Sequence, residues 1–339
     1  MDRYKLWSGS VILLIFAVLF PMARFNYFID PLWNFAHSNE YNNDQMPFDE
    51  RQQKTNHLTF TGEHYTNLLI GSSRATYINQ YDFPTSTYNY AVSNILLAEY
   101  PDFIAYAQKE NGKFDTLYLA LDFYATNQNI ALNPKSPQEY IKTATTPGYR
   151  WTTLLSRDVY RYAQKNYTAS QEKLYPISFA YNRANVKRLL PVSAEETQRL
   201  AADNLVRFKA DFYGNYQYGN VKQGLKDIQA AVPESRVAAF TTPVSPALYQ
   251  LMLDMELYPY YEQWLRDIVS TYGEVYHFMY PNQVTEDWSN FFDASHVYPA
   301  VNTLIVQTVT GEKATSDFGL HITEENLEES LDYLRSISI

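Results

Sequence analysis

The chain contains no cysteine. That excludes disulfides, thiol nucleophiles and cysteine metal sites, and it suits either side of a membrane. It also lacks an excess of basic charge: 37 acidic residues against 27 basic ones leave a net charge of −10. A nucleic-acid-binding surface needs the opposite sign, so no nucleic-acid partner is expected. Glycine is scarce, at 11 of 339 residues, and no glycine-rich phosphate loop occurs. No nucleotide cofactor is therefore implied. The six histidines, His37, His57, His64, His277, His296 and His321, form no pair at a helical metal-ligand spacing. No metal is expected.

What the sequence does have begins at its N-terminus. Leu6 to Ala23 carries no charge and includes the run Val11-Ile12-Leu13-Leu14-Ile15-Phe16-Ala17-Val18-Leu19-Phe20. A helix needs about 20 apolar residues to span a bilayer, and this run is just long enough. Arg3 and Lys5 precede it, which favours a cytoplasmic residue 1–5 segment. A cleaved signal peptide is the alternative, although Pro21-Met22-Ala23 lacks the small-x-small pattern of a cleavage site. The expectation is an anchor at 6–23, with the rest of the chain facing the periplasm or cell exterior. Residues 24–60 read as a membrane-proximal linker. Its first part, Asn26 to Trp33, is aromatic and suits the membrane interface, and a polar run follows from about Asn39 to Lys54.

From residue 61 to 312, apolar strands alternate with helical segments, which predicts an α/β domain with helices on both faces of a mainly parallel sheet. Five strands are expected: Asn67–Ile70, Tyr88–Val92, Leu117–Phe123, Val237–Phe240 and Val275–Phe278. Leu96–Gln108 and Tyr249–Thr271 read as helices. A largely helical insertion is expected at about 127–233, and Ser193-Ala194-Glu195-Glu196 there is a capping box. Its first half is rich in Tyr and Trp, which suits either an aromatic wall for sugar rings or ordinary packing. Residues 313–339 read as a tail with a final helix bearing Leu327, Leu331 and Leu334 on one face.

Leu68-Leu69-Ile70-Gly71-Ser72-Ser73-Arg74 organises this domain. It is a buried strand ending in a turn, and the ends of such strands are where open α/β sheets place ligands. A serine there suits a nucleophile beside an oxyanion site, and it also suits a helix cap. A second stretch, Asp293-Ala294-Ser295-His296, places an acid three residues before a histidine. The Asp can accept from the imidazole, leaving the other ring nitrogen to take a serine proton. The roles are then Ser73 nucleophile, His296 general base and Asp293 orienter.

Together these motifs resemble the SGNH/GDSL hydrolase superfamily, whose strand-end Gly-Asp-Ser and late Asp-x-x-His blocks supply the same three groups. Gly71-Ser72-Ser73 corresponds to the first block, with Ser72 in place of the usual Asp. Behind a membrane anchor, the Gly-Ser-Ser-Arg form is similar to a branch that includes the D-alanine-transfer protein of teichoic acid synthesis and exopolysaccharide O-acetylation proteins. The resemblance implies a flavodoxin-like three-layer sandwich and a serine esterase or O-acyltransferase. It implies as partners an acylated envelope polysaccharide or acyl donor and a membrane-bound acyltransferase. A catalytically silent module that binds polysaccharide or scaffolds a synthesis complex is the alternative. The family's second block, a Gly, falls here near Ser93-Asn94. Its third, Gly-x-Asn, falls at Ala120-Leu121-Asp122. An ionised Asp is acceptor-only, so Asp122 is expected to be held protonated, or to turn to Arg74 or a backbone amide, or to yield the donor role to Asn94 or Asn127.

Overall fold

The structure is a computed structural model that describes residues 3–130, 135–172, 180–312 and 318–338. Residues 1–2 of the expected cytoplasmic segment, 131–134 and 173–179 of the insertion, and 313–317 and 339 of the tail lie outside the described residues. Nine strands occur among the described residues: β1 (Asp44–Gln45), β2 (Asn67–Ile70), β3 (Thr87–Asn89), β4 (Thr116–Leu121), β5 (Ala180–Asn182), β6 (Lys187–Arg188), β7 (Arg236–Thr241), β8 (Glu274–His277) and β9 (Leu320–Thr323). The chain divides into two compact units, one of residues 1–62 and 139–188, the other of 63–138 and 189–339.

The second unit is α/β. Its sheet has six strands in the order β3-β2-β4-β7-β8-β9. The first five run parallel to their neighbours and β9 is antiparallel to β8. The expected count of five is therefore corrected to six. The extra strand comes from the tail, where Leu320–Thr323 carries His321 and Thr323 and buries only Ile322, too polar a pattern to announce itself. Along β4, Leu117, Leu119 and Leu121 alternate with Tyr118 and Ala120, and both sets are buried. Two-sided burial is what a parallel sheet between helices requires. Tyr118 and Ala120 join Leu69, Ala238 and Phe240 in a core shared with Val301, Ile305 and Val306 of the helix Pro299–Val309. The helix Tyr258–Tyr272 packs on β7, β8 and the helix Val221–Ala231, which in turn meets the helix Tyr100–Asn111. The single helix expected over 249–271 is two, Pro246–Asp254 and Tyr258–Tyr272. Between them Glu256 takes a left-handed φ of 58°, which no helix continues through.

The first unit begins with the helix Arg3–Ile29, which is long and apolar enough to cross a membrane and whose apolar stretch is not buried by the rest of the chain. The segment read as a linker is built into this unit. It contains the helix Glu50–Thr61, whose residues Arg51 to Leu58 are all buried. Asp49 caps it by accepting from the Gln52 N–H, and Gly62 ends it at φ 67°, where a side chain would be strained. Its polar side chains satisfy backbone groups of the preceding loop: Gln53 donates to the Pro31 carbonyl and Asn56 to that of Leu32, each at 2.9 Å. A polar pattern conceals such a helix, because its buried face is held by hydrogen bonds rather than apolar contact. β1, β5 and β6 form a small antiparallel sheet in the same unit.

Candidate active site

Parallel strands bring their C-terminal ends to one edge, and the second unit collects polar groups there. β2 ends at Ile70, and Gly71 turns the chain out of the sheet. A Cβ at Gly71 would lie 2.6 Å from that of Ala120 and 2.8 Å from that of Ala75. Glycine is required here for close approach. The next turn is clamped: Ser72 Oγ accepts from the Arg74 N–H at 3.2 Å, and Thr76 Oγ1 donates to the Ser73 carbonyl at 2.6 Å. Ser72 is buried, while Ser73 is partly exposed.

Ser73 Oγ lies 2.8 Å from His296 Nε2. On the other side of the ring, Nδ1 lies 2.8 Å from Asp293 Oδ2. Asp293 Oδ1 also accepts from the backbone N–H of Ser295 at 2.7 Å and of His296 at 2.8 Å. The Asp-x-x-His segment thus folds back on its own carboxylate. Burial acts to raise the Asp293 pKa, but the His296 charge and these hydrogen bonds outweigh it and hold it below the usual carboxylate range. With Nδ1–H donated to Asp293, Nε2 is the acceptor for the serine hydroxyl. Ser295 Oγ also lies 3.0 Å from Nδ1. The ring is stacked on Phe292, with centroids 5.4 Å apart, and meets the edge of Tyr77 at 5.8 Å. An antiparallel bridge between Phe291 and Val297 closes the loop, and the Ser245 N–H bonds the Ala294 carbonyl at 3.1 Å.

The remaining residues singled out by sequence sit on the same edge. The Val92 N–H bonds the Gly71 carbonyl at 2.9 Å. Ser93 and Asn94 therefore leave the sheet beside Ser72 and Ser73. Asn94 is partly exposed, takes a left-handed φ of 54°, and its Oδ1 accepts from Arg207 at 3.5 Å. Asp122, at the end of β4, turns its carboxylate to Arg74, with Nη1 2.7 Å from Oδ1. Thr242, just past the end of β7, donates to the same oxygen. Both charged side chains are buried, and the Arg74 guanidinium lies 5.5 Å over Phe208 and 5.8 Å over Tyr124. Burial acts to lower the Arg74 pKa, and the Asp122 charge, with Tyr213, Tyr124 and the Asp122 hydrogen bond, together more than reverse this. Asn127 Nδ2 donates to the Phe212 carbonyl at 2.8 Å, and its Oδ1 accepts from the Gln217 N–H. Its side chain is thus committed to the chain itself.

Sequence reading did not single out Thr242, Ser295 or Phe292. For Thr242 a signal existed: Thr241-Thr242 ends a strand in polar residues, as Ser93-Asn94 does. An apolar cleft of about 670 Å³ lies against the histidine loop, with Val192, Ala201, Leu205, Trp288, Phe291 and Tyr298 among its walls. Tyr298 packs on Phe292 at 5.6 Å. No group of three or more potential metal-ligating side chains occurs among the described residues. The sequence matches no known protein-family profile and no curated protein.

Proposed function

We propose that the chain is an SGNH-like serine esterase or O-acyltransferase held at a membrane by its N-terminal helix, with the catalytic unit facing the periplasm or cell exterior. The observation that carries this reading is the continuous contact from Asp293 through His296 to a partly exposed Ser73 on the ligand-binding edge of the sheet. Five parallel neighbours with helices packed against both faces support the flavodoxin-like, three-layer assignment. In the proposed reaction Ser73 Oγ attacks the carbonyl carbon of an acyl ester and its proton passes to His296 Nε2. The tetrahedral intermediate collapses, the ester's alcohol leaves with that proton, and the acyl group stays on Ser73. Water or a sugar hydroxyl then attacks the acyl-serine, giving its proton to His296, which returns it to Ser73. Backbone amides at Ser93–Asn94 and the Asn94 side chain are the donors we assign to the oxyanion. The apolar cleft beside the histidine loop suits the acyl portion of a donor. An acylated envelope polysaccharide and a membrane-bound acyltransferase are the proposed partners, by analogy of motif.

One observation favours a second reading. The position of the family's oxyanion Asn carries Asp122, whose carboxylate is engaged by Arg74 and Thr242. A catalytically silent module that binds polysaccharide or scaffolds a synthesis complex would tolerate that change. A fluorophosphonate probe separates the two. The full-length protein should be labelled, Ser73→Ala and His296→Ala should abolish labelling, and Ser72→Ala should retain it. A folded wild-type protein that stays unlabelled would make the silent module the better reading.

A further inference from the structure

We propose that the face of the first unit bearing Trp151 and Leu155 lies in the headgroup layer of the membrane that the N-terminal helix enters. This rests on the reading of that helix as a membrane span. Trp151 is 54% exposed and Leu155 51% exposed, on the short helical segments Tyr149–Thr152 and Thr153–Leu155. Large apolar side chains left in water on one short helical stretch mark an interaction surface. The anchor identifies the occupant. Asn26 Nδ2 donates to the Leu154 carbonyl at 2.9 Å and to the Ser156 carbonyl at 3.2 Å. Asn26 stands three residues beyond Ala23, the end of the apolar run, which is about 4.5 Å along a helix axis. The headgroup layer on each side of the hydrocarbon is about 5–8 Å thick. Residues bonded to Asn26 therefore sit at headgroup depth when the apolar run fills the bilayer.

The patch continues from the anchor's own last turn. Tyr27 and Phe28 are exposed there, Tyr27 packs on Phe35 at 4.8 Å, and Phe35 packs on Trp151 at 5.2 Å. The geometry is fixed to the anchor. The Phe28 carbonyl at the helix end accepts from Asn39 Nδ2 at 2.8 Å, and Asp30 accepts from the Asn34 and Phe35 amides and pairs with Arg183 at 2.7 Å. The chemistry also fits a lipid surface. Trp and Tyr concentrate at membrane interfaces because one end of each ring tolerates water. Arg150 lies 4.9 Å over the Trp151 ring, and Arg157 is exposed two residues past Leu155 with Asp158 and Arg161 beyond it, so the apolar groups carry a rim of charged side chains suited to headgroups.

The absence of cysteine makes the test direct. Leu155→Cys, Trp151→Cys and Leu13→Cys are each spin-labelled in the full chain and reconstituted in phosphatidylglycerol-containing nanodiscs. Collision rates with oxygen and with a water-soluble nickel chelate then report depth. The expected result is loss of nickel collisions at 151 and 155 relative to a label at the exposed Arg188, with oxygen collisions retained and the label at 13 deep in the core. Free access of nickel to 151 and 155 while 13 is in the core would overturn the proposal and leave the span intact. Shielding of both labels from oxygen as well as nickel would also overturn it, by pointing to a protein on this face. A label at 13 outside the core would remove the span and the proposal with it.

Discussion

Asp122 is where an acidic side chain on the same sheet edge as the proposed nucleophile is spent on structure. Its carboxylate neutralises Arg74, the residue that follows Ser73, and both are sealed from water. Removing one partner of a buried ion pair costs about 3–5 kcal/mol, because the other charge is left without compensation. Asp122→Asn should therefore melt at a markedly lower temperature. Its probe labelling per folded molecule should fall by much less than the roughly 10²–10³ that losing an oxyanion donor costs. Calorimetry beside labelling kinetics checks both halves. A hundredfold slower reaction from a protein of unchanged stability would instead make Asp122 part of the chemistry. The sequence exposes Ser73, Asp293 and His296 because each motif is local. The acid-histidine turn closes on itself through the amides of Ser295 and His296, and four residues suffice to write it. The cluster of Arg74, Asp122 and Thr242 joins three strand ends far apart in the chain. The sequence hints at its parts, in Arg74 as one expected partner of Asp122 and in the polar strand end at Thr241-Thr242, but not at their meeting.

At the scale of elements, the corner after β2 has the least room for change. The two atoms that a Gly71 methyl would strike, the Cβ atoms of Ala120 and Ala75, are fixed directly to backbone and cannot rotate away. Gly71→Ala must push β2 from β4 or lift the turn that carries Ser73. Overpacking of this kind costs about 1–3 kcal/mol. A displacement of about 1 Å at a reacting group can cost on the order of 10² in rate. The expected variant is folded, less stable and labelled about a hundredfold more slowly, with Ala75→Gly restoring part of the loss. Labelling at the wild-type rate would show that the corner has slack. The central strands were legible because a strand buried on both faces is written as an apolar run. The elements that were not legible follow other rules. β9 is a half-exposed edge strand, and β1, β5 and β6 are too short to show a period. The helix Glu50–Thr61 buries polar groups that bond to backbone, so its sequence resembles a linker.

For the molecule as a whole, the pH dependence of stability follows from groups buried without charge. His277 is fully buried, with Nδ1 2.9 Å from Thr241 Oγ1 and Nε2 2.5 Å from Tyr261 Oη. Burial lowers its pKa to about 3, against an ordinary value of about 6.5. The unfolded chain binds that proton first as pH falls. Stability from this group is therefore complete above about pH 6.5 and is lost progressively toward pH 3. His57, lowered to about 4 by burial, adds in the same direction. Melting temperature should drop between pH 6.5 and 4, and His277→Gln should flatten that slope even if it melts lower at neutral pH. An unchanged slope in the variant would place the acid sensitivity elsewhere.

The first unit is also discontinuous: the chain leaves it at Gly62 and returns at Glu139. Asp44 of β1 pairs with Asn182 of β5, and Asp30 pairs with Arg183. Synthesis at about 5–20 residues per second puts the two halves on the order of ten seconds apart. Throughout that interval the N-terminal helix is already made, while the polar helix behind it has neither Tyr181 nor Lys187 to close over Glu50 and Lys54. The Ser73 strand emerges during the same delay. A ribosome stalled before residue 180 would thus hold a chain with the strand before Ser73 made and its first unit half built. The order of translation therefore makes the first unit wait for chain made much later.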